Sequence, residues 1–191
     1  MAQRKGFTLV ELSIVLVIIG LLIGGVLKGQ SMIENAKIKR FVSDSDSLVA
    51  ATYNYQDRFN ALPGDDILGS TRGAQANGNG NGQITGGTES VDFYRSLIST
   101  GFIPGNALAT TQATVARTTP FGSDYTVTSV AMGVPHTSAE NAIRTTAAIV
   151  PADIARDMDA KYDDGVFNTG DFQANTVYTN AALKQVTWYK F

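Results

Sequence analysis

A single carboxylate, Glu11, interrupts a long apolar segment close to the N-terminus. The segment from Phe7 to Leu27 has about 21 residues and would extend roughly 31 Å as a helix, which is enough to cross the core of a bilayer. A carboxylate inside such a segment costs about 2.5–3.5 kcal/mol on insertion scales. Because a partner of opposite charge would offset this cost, Glu11 indicates a segment that leaves lipid and packs against copies of itself.

The residues around the apolar segment indicate how the chain is oriented. Residues 1–6 are a polar leader that carries Arg4 and Lys5, and these cations favour a cytoplasmic N-terminus. A secretory signal peptide would have its cleavage site after the apolar segment, behind small residues. Residues 26–30 offer no such site, and Gly6 is the small residue at the boundary between polar and apolar sequence.

The sequence from Lys5 to Leu12 resembles the class III leader of type IV prepilins and type II secretion pseudopilins. The resemblance implies that a membrane prepilin peptidase cleaves the chain between Gly6 and Phe7 on the cytoplasmic side. It also implies N-methylation of the new Phe7 amine and assembly of the mature chain into a homo-oligomeric or mixed pilin filament. An inner-membrane assembly platform would be a further partner.

Cleavage would produce the charge that Glu11 needs. The new α-amine of Phe7 has an ordinary pKa near ~8 and is therefore largely cationic at neutral pH. It can pair with Glu11 of a neighbouring subunit, so that each charge offsets the desolvation of the other and the pair fixes the axial register. The alternative is an ordinary N-terminal anchor in which the Glu11 side chain reaches the lipid headgroups.

A helix is predicted to continue beyond the membrane to Asn60. Residues 28–60 contain no Pro, apolar residues recur at helical spacings from Ile33 to Phe59, and a turn sequence follows. We therefore divide the chain into a cleaved leader (1–6), a transmembrane and assembly half of a spine helix (7–27), an amphipathic half (28–60) and a globular head (61–191). Many type IV pilins have a Pro at the position of Lys28, so the classical motile pilins are a poor match.

The fold class predicted for the head is α+β, a small antiparallel sheet packed on the second half of the spine helix. Short helices are expected over 89–100 and from Pro151 to about Tyr162. Alternating patterns predict strands over 125–131, 143–150 and 185–190, and residues 106–124 are expected to form an exposed loop. The turn at 59–66 and the loop at 77–84 resemble a group of minor pilin-like or pseudopilin-like proteins, which implies the same architecture.

Two segments could bind calcium. Asn77, Asn79 and Asn81 have the spacing of the first half of an EF-hand loop, but they are uncharged and the twelfth position is Thr88. The other segment contains Asp159, Asp163 and Asp164, where a helix is expected to end and counter-charge is needed. Related secretion pseudopilins bind calcium in their heads, so Ca²⁺ is a possible but not a required cofactor. Turn and capping roles are the simpler interpretation of both segments.

Composition argues against several classes of function. The chain has no Cys, and its 15 Lys and Arg residues against 17 Asp and Glu residues give no support for binding to nucleic acid. The single histidine, His136, is expected to be a loop residue, and no nucleophile elbow or phosphate-binding motif occurs. We therefore expect no enzymatic activity and no catalytic residues.

The sequence thus predicts a structural subunit, a pilin or pseudopilin of a type IV pilus-like fimbrium or of a type II secretion filament. Before assembly it would be a single-pass protein of the inner membrane, and afterwards part of a periplasmic or extracellular filament. The alternative is a minor or tip pilin whose head binds a ligand or an adhesion target. Sequence alone does not distinguish a pilus from a secretion system.

Overall fold

The structure is a computed structural model that describes residues 6, 8–131, 136, 138–179 and 182–189. Its first element is one helix, α1 (Leu9–Phe59). The helix ends where Asn60 adopts a left-handed backbone with φ of 49°, a conformation that Asn tolerates better than most residues. The long predicted helix is therefore confirmed, and its end lies within one residue of the expected position.

Contacts divide the chain into two compact units, Met1–Lys37 and Ile38–Phe191. In the first unit, the large apolar side chains between Leu9 and Leu27 are 46–87% exposed. Ile33 is also exposed, although the helical pattern indicated that it would be packed. The buried face of α1 instead begins at Ile38, in the second unit.

The second unit encloses the apolar core of the protein. The later part of α1 contributes side chains with little or no exposure, among them Phe41, Leu48 and Tyr55. Phe41 stacks on Trp188 with ring centroids 6.3 Å apart, and the ring of Phe172 meets Trp188 edge-on. These aromatic contacts join α1 to the sheet within one core.

Within the described residues, four strands form an antiparallel sheet in the order β1-β2-β4-β3. The strands are β1 (Tyr125–Val130), β2 (Glu140–Thr145), β3 (Phe172–Ala174) and β4 (Val186–Trp188). Tyr125 and Val127 of β1 are buried in the core, as the alternating pattern of a half-buried strand requires. The long helix and this small sheet form an α+β, type IV pilin-like arrangement, which confirms the predicted fold class.

Three further α-helices lie in the described part of the second unit: α2 (Thr88–Ser99), α3 (Gln112–Val115) and α4 (Ala152–Tyr162). Gly101 follows α2 with a φ of 80°, and Pro151 caps the N-terminus of α4. Both residues mark the helix ends at which the sequence placed them. A 3₁₀-helix over Gly69–Arg72 lies between α1 and α2.

Two predictions about the head are wrong in detail. Residues 146–149 are not a strand, because β2 ends at Thr145 and the chain bends there, and only Val150 returns to bridge Lys184. Residues 106–124 are not simply an exposed loop, because they contain α3 and its Val115 packs into the core. Of the predicted last strand, residues 186–188 form β4, residues 185 and 189 are not part of it, and residue 190 lies outside the described residues.

Candidate functional site

The carboxylate of Glu11 forms a capping box with Thr8 at the start of α1. Glu11 Oε2 accepts hydrogen bonds from Thr8 N at 2.8 Å and from Thr8 Oγ1 at 2.9 Å, and Thr8 Oγ1 accepts from Glu11 N at 3.2 Å. This is the reciprocal pattern of Thr-x-x-Glu at a helix N-terminus. The Thr-x-x-Glu spacing at residues 8–11 is the sequence signal for this cap, and it gives Glu11 a local role in addition to the predicted pairing with Phe7.

The proposed cleavage site lies immediately before this capping box. Gly6 is exposed, and a Cβ atom added to it would meet no other described residue within 4 Å. Phe7, the proposed methylation site and the partner proposed for Glu11, lies outside the described residues, as do Arg4 and Lys5. Among the described residues, α1 is long and apolar enough to cross a membrane by length and composition.

Three carboxylates come together where α4 ends. Oxygen atoms of Asp159, Asp163 and Asp164 lie within 4.8 Å of one another. Gly170 has a φ of 71°, and a Cβ atom there would lie 2.1 Å from Asp163 Oδ2, so the backbone passes directly against this group. The structure therefore brings together the three acids that the sequence singled out as a possible calcium site.

Hydrogen bonds already satisfy part of this acidic group. Asp159 is fully buried, and its oxygens accept from Gly165 N at 2.9 Å and from Tyr178 Oη at 2.7 Å. Burial raises the pKa of Asp159, these two hydrogen bonds oppose that effect, and the nearby charges of Asp164 and Asp163 add to it. Clustered carboxylate oxygens suit Ca²⁺, so the donor set fits a hard cation that would relieve the repulsion between the acids.

The asparagine tract has a different geometry. Asn77 Oδ1 accepts from Ser70, Asn79 Oδ1 accepts from Asn81 N, and Asn81 Oδ1 accepts from Gln83 N. The oxygens of Asn79 and Asn81 therefore form Asx turns within the loop, and the oxygen of Asn77 fastens the loop to the 3₁₀-helix. A calcium site at Asn77, Asn79 and Asn81 stays a prediction, and this hydrogen bonding favours the simpler interpretation as a turn-rich loop.

The same loop is wrapped around the carboxylate of Asp65. Asp65 Oδ1 accepts from Gly80 N at 2.7 Å and from Asn79 N at 3.2 Å, and Oδ2 accepts from Gly82 N at 2.6 Å. Asp65 is only 3% exposed. Backbone N–H groups that converge on one point bind an anion rather than a cation, and here the anion is part of the chain.

Asp66, the next residue, joins the turn to α1. Its Oδ2 accepts from Tyr55 Oη at 2.7 Å and from the guanidinium of Arg72, and its Oδ1 accepts from Leu68 N at 2.8 Å. Burial alone would raise the pKa of Asp66, but these hydrogen bonds and the Arg72 charge outweigh it and lower the pKa. Burial and the neighbouring carboxylate raise the pKa of Tyr55 to about 12.

His136 lies outside the helices and strands, as the sequence predicted, but its side chain is buried. It is 8% exposed, and its ring stacks on Tyr189 with centroids 3.7 Å apart. Its Nδ1 lies 2.7 Å from Glu140 Oε2, and its Nε2 lies 3.2 Å from Asp171 Oδ1. The side chain thus links two acidic residues to the end of β4, which is a structural role.

Comparison with known proteins agrees with the N-terminal geometry. A family model described as the prokaryotic N-terminal methylation motif matches residues 1–27 of the chain. No curated protein and no solved structure matches the chain. The chain therefore carries a type IV prepilin-like class III leader, joined to an α+β arrangement of the type IV pilin kind.

Proposed function

We propose that this protein is a structural subunit of a type IV pilus-like or type II secretion filament. The observation that carries the proposal is the N-terminal segment, in which the methylation motif at residues 1–27 coincides with an exposed apolar helix that has one acid in its first turn. Exposed apolar surface on this scale requires lipid or another protein. In the proposed scheme, lipid covers this apolar surface while the chain is in the membrane, and the helices of neighbouring subunits cover it in the filament.

The proposed sequence of events starts in the inner membrane, with the N-terminus in the cytoplasm. A prepilin peptidase cleaves the bond between Gly6 and Phe7 and methylates the Phe7 amine. The resulting cation pairs with Glu11 of a neighbouring subunit in the assembly platform, and the filament then extends into the periplasm or beyond the cell. In this scheme the capping box holds the Glu11 carboxylate at the helix start before a neighbour arrives.

A structural role also fits the head. In the described part of the chain, the buried acids Asp65, Asp66 and Asp159 accept hydrogen bonds that stabilise turns and contacts between elements. The leader motif likewise suggests a structural protein rather than an enzyme. Neighbouring genes and microscopy of the assembled fibres distinguish a pilus from a secretion pseudopilus.

A second candidate is a minor or tip subunit whose head binds a ligand. An open cleft of about 590 Å³ in the second unit favours it, and the lining of this cleft includes Tyr162, Tyr189 and the carboxylate of Asp171. Aromatic rings beside carboxylates suit a cationic group. Abundance separates the two candidates, because a major subunit dominates sheared filaments and a tip subunit is scarce in them.

The cleavage step is tested by replacing Gly6 with Leu in the full chain. We expect the variant to stay at precursor size on gels in cells that contain the peptidase. Among the described residues, nothing beyond the chain neighbours of Gly6 lies within 4 Å of the added Cβ, so a block reports on recognition by the peptidase. Gly24→Leu is the matched control, because its Cβ also meets nothing. A Gly6→Leu precursor that matures normally would refute the proposed site.

The pairing step is tested by comparing Glu11→Gln with Glu11→Val. Gln keeps the capping-box acceptor but removes the charge, whereas Val removes both. If ion pairing drives assembly, both variants insert in the membrane and both lose filaments. Glu34→Gln, an exposed acid of the same helix, is the control and should assemble normally. Wild-type filament yield from Glu11→Gln would show that capping alone is needed and would remove the pairing step.

A further inference from the structure

We propose that the Asn-Gly tract at residues 77–82 is a deamidation site that the carboxylate of Asp65 holds inactive in the folded protein. The sequence contains three consecutive Asn-Gly pairs, which begin at Asn77, Asn79 and Asn81. All three asparagines are exposed. Asn-Gly is the dipeptide most prone to spontaneous deamidation, because Gly offers no side chain to hinder attack by its backbone nitrogen.

The reaction needs only water. The backbone nitrogen of the Gly attacks Cγ of the preceding Asn and forms a five-membered succinimide, and the side-chain amide nitrogen leaves as ammonia with the proton from the backbone nitrogen. Water then opens the ring at either carbonyl and gives aspartate or isoaspartate. The attacking atom is therefore a backbone nitrogen, so a hydrogen bond that holds this N–H in place opposes the reaction.

In the folded head, each of the three Gly amides donates a hydrogen bond. Gly78 N donates to the backbone oxygen of Asp66 at 2.8 Å. Gly80 N donates to Asp65 twice, to Oδ1 at 2.7 Å and to the backbone oxygen at 3.2 Å. Gly82 N donates to Asp65 Oδ2 at 2.6 Å. Hydrogen bonds to a carboxylate are the strongest of these, so Asp65 restrains two of the three nucleophilic nitrogens.

The backbone explains why glycines occupy these positions despite the risk of damage. A Cβ atom at residue 78 would lie 2.2 Å from the carbonyl carbon of Asp65, so only Gly fits there. Gly80 and Gly82 have φ values of 73° and 81°, which residues with side chains rarely adopt. Because the loop must wrap closely around Asp65, the labile pairs are a consequence of its path.

Deamidation would also disturb the loop further. Each event replaces a neutral amide with a carboxylate, and at residue 79 the new charge would face Glu89, whose Oε1 accepts from Asn79 Nδ2 at 3.2 Å. Isoaspartate inserts an additional methylene into the main chain, which moves the next N–H away from the position it needs. Once the first pair has reacted, the remaining amides are therefore held less well.

The geometry predicts an order of reactivity once the Asp65 carboxylate is removed. Gly82 loses its acceptor, Gly80 keeps the backbone oxygen of residue 65, and Gly78 keeps the backbone oxygen of Asp66. Asn81 should therefore react first, Asn79 second and Asn77 last. Loss of a hydrogen bond to a charged acceptor increases local opening about tenfold or more, so we expect at least that change in rate at Asn81.

The experiment uses the full chain in detergent micelles, with Asp65→Asn and Asp65→Ala beside wild type, incubated at mildly alkaline pH. The tryptic peptide from Gly73 to Arg95 contains all three pairs, and fragment masses locate each conversion. Wild type in denaturant gives the rate for the unrestrained chain. We expect folded wild type to be much slower than this reference and both variants to react at Asn81 first.

A matched control separates gating by Asp65 from a general loss of stability. Leu48→Ala opens a cavity in the core far along the sequence from the tract, and global unfolding should expose the three pairs alike. If the Asp65 variants show the same even pattern as Leu48→Ala, or if folded wild type reacts as fast as denatured chain, the proposal is overturned. Hydrogen exchange on wild type gives an independent test, because a Gly82 amide that exchanges at the rate of an unprotected loop would contradict it.

Discussion

The hydrogen bond between Tyr55 and Asp66 gives the sharpest test of how the turn is fastened to α1. Tyr55 is fully buried, Asp66 is 2% exposed, and their oxygens are 2.7 Å apart. The change Tyr55→Phe removes the donor and keeps the ring. A hydrogen bond to a charged group contributes about 1.5–3 kcal/mol, and 1 kcal/mol shifts the melting temperature of a unit of this size by about 2–4 °C. We therefore expect the melting temperature to fall by about 3–12 °C at neutral pH.

The effect should depend on pH in a defined direction. The pKa of Asp66 is lowered in the folded protein, so its contribution is present above the ordinary pKa of Asp, near ~3.9, and is lost as the pH falls through the folded value. Tyr55→Phe removes one of the hydrogen bonds that lower this pKa. The difference in stability between wild type and the variant should therefore shrink below about pH 4.

Trp188 makes the measurement simple, because it is the only tryptophan and is buried in the core. Its fluorescence, followed during thermal unfolding in detergent, reports on the second unit. Tyr53→Phe is the matched control, since Tyr53 lies on the same helix with 53% of its surface exposed and should change stability by less than about 0.5 kcal/mol. Equal melting temperatures for the two variants, or a difference that stays constant to pH 3, would refute the reasoning.

Two further predictions concern the acidic group at the end of α4. If it binds calcium with the affinity of extracellular sites, 5 mM Ca²⁺ should raise the melting temperature of wild type by about 2–9 °C and leave Asp164→Asn unchanged; an equal rise in both would place the effect elsewhere. Gly170→Ala should lose more than about 1 kcal/mol in the same fluorescence assay, because its φ is 71° and its Cβ would clash with Asp163. Gly24→Ala, whose Cβ meets nothing, is the control, and equal stability of the two variants would contradict the close approach.

The sequence was sufficient for the elements that depend on local patterns. The apolar segment without Pro predicted α1, and the alternating pattern predicted β1. Gly101 lies just after the C-terminus of α2, and Pro151 lies just before the N-terminus of α4. The capping box at Thr8 and Glu11 was also readable from the sequence, because both residues lie within one helical turn. Each of these signals involves neighbours in the chain, so no knowledge of tertiary contacts is needed.

Other features required partners that lie far apart in the sequence. β3 has three residues and is held by β4, which is too short a pattern to detect. Asp44 carries a charge on a helix whose charged residues are mostly exposed, yet it is only 7% exposed and pairs with Arg117 at 3.1 Å. His136 is buried because Tyr189 supplies a ring for it to stack on. The type of a residue alone does not predict a partner that lies so far away in the sequence.

The residues of the candidate site also fall into those that a local pattern predicts and those that depend on distant partners. The leader, with Gly6 and Glu11, follows from a short motif, whereas the anchoring of the asparagine tract by Asp65 depends on a carboxylate up to 17 residues away in sequence. The acids at the end of α4 converge because Gly165 and Gly170 let the chain fold back on itself. Spacing alone gave the candidates, and only the three-dimensional path showed what each oxygen binds.

The capping box at the start of α1 has a consequence for the lifetime of an unassembled subunit. Because Thr8 already donates two hydrogen bonds to Glu11, the acid does not face hydrocarbon as a bare anion while the chain is alone. For the proposed filament subunit, this lowers the cost of keeping a single chain in the bilayer, so that chains can be stored there before assembly. Recruitment into the proposed filament then exchanges a local donor for the charged amine of a neighbour, and growth need not wait for new synthesis.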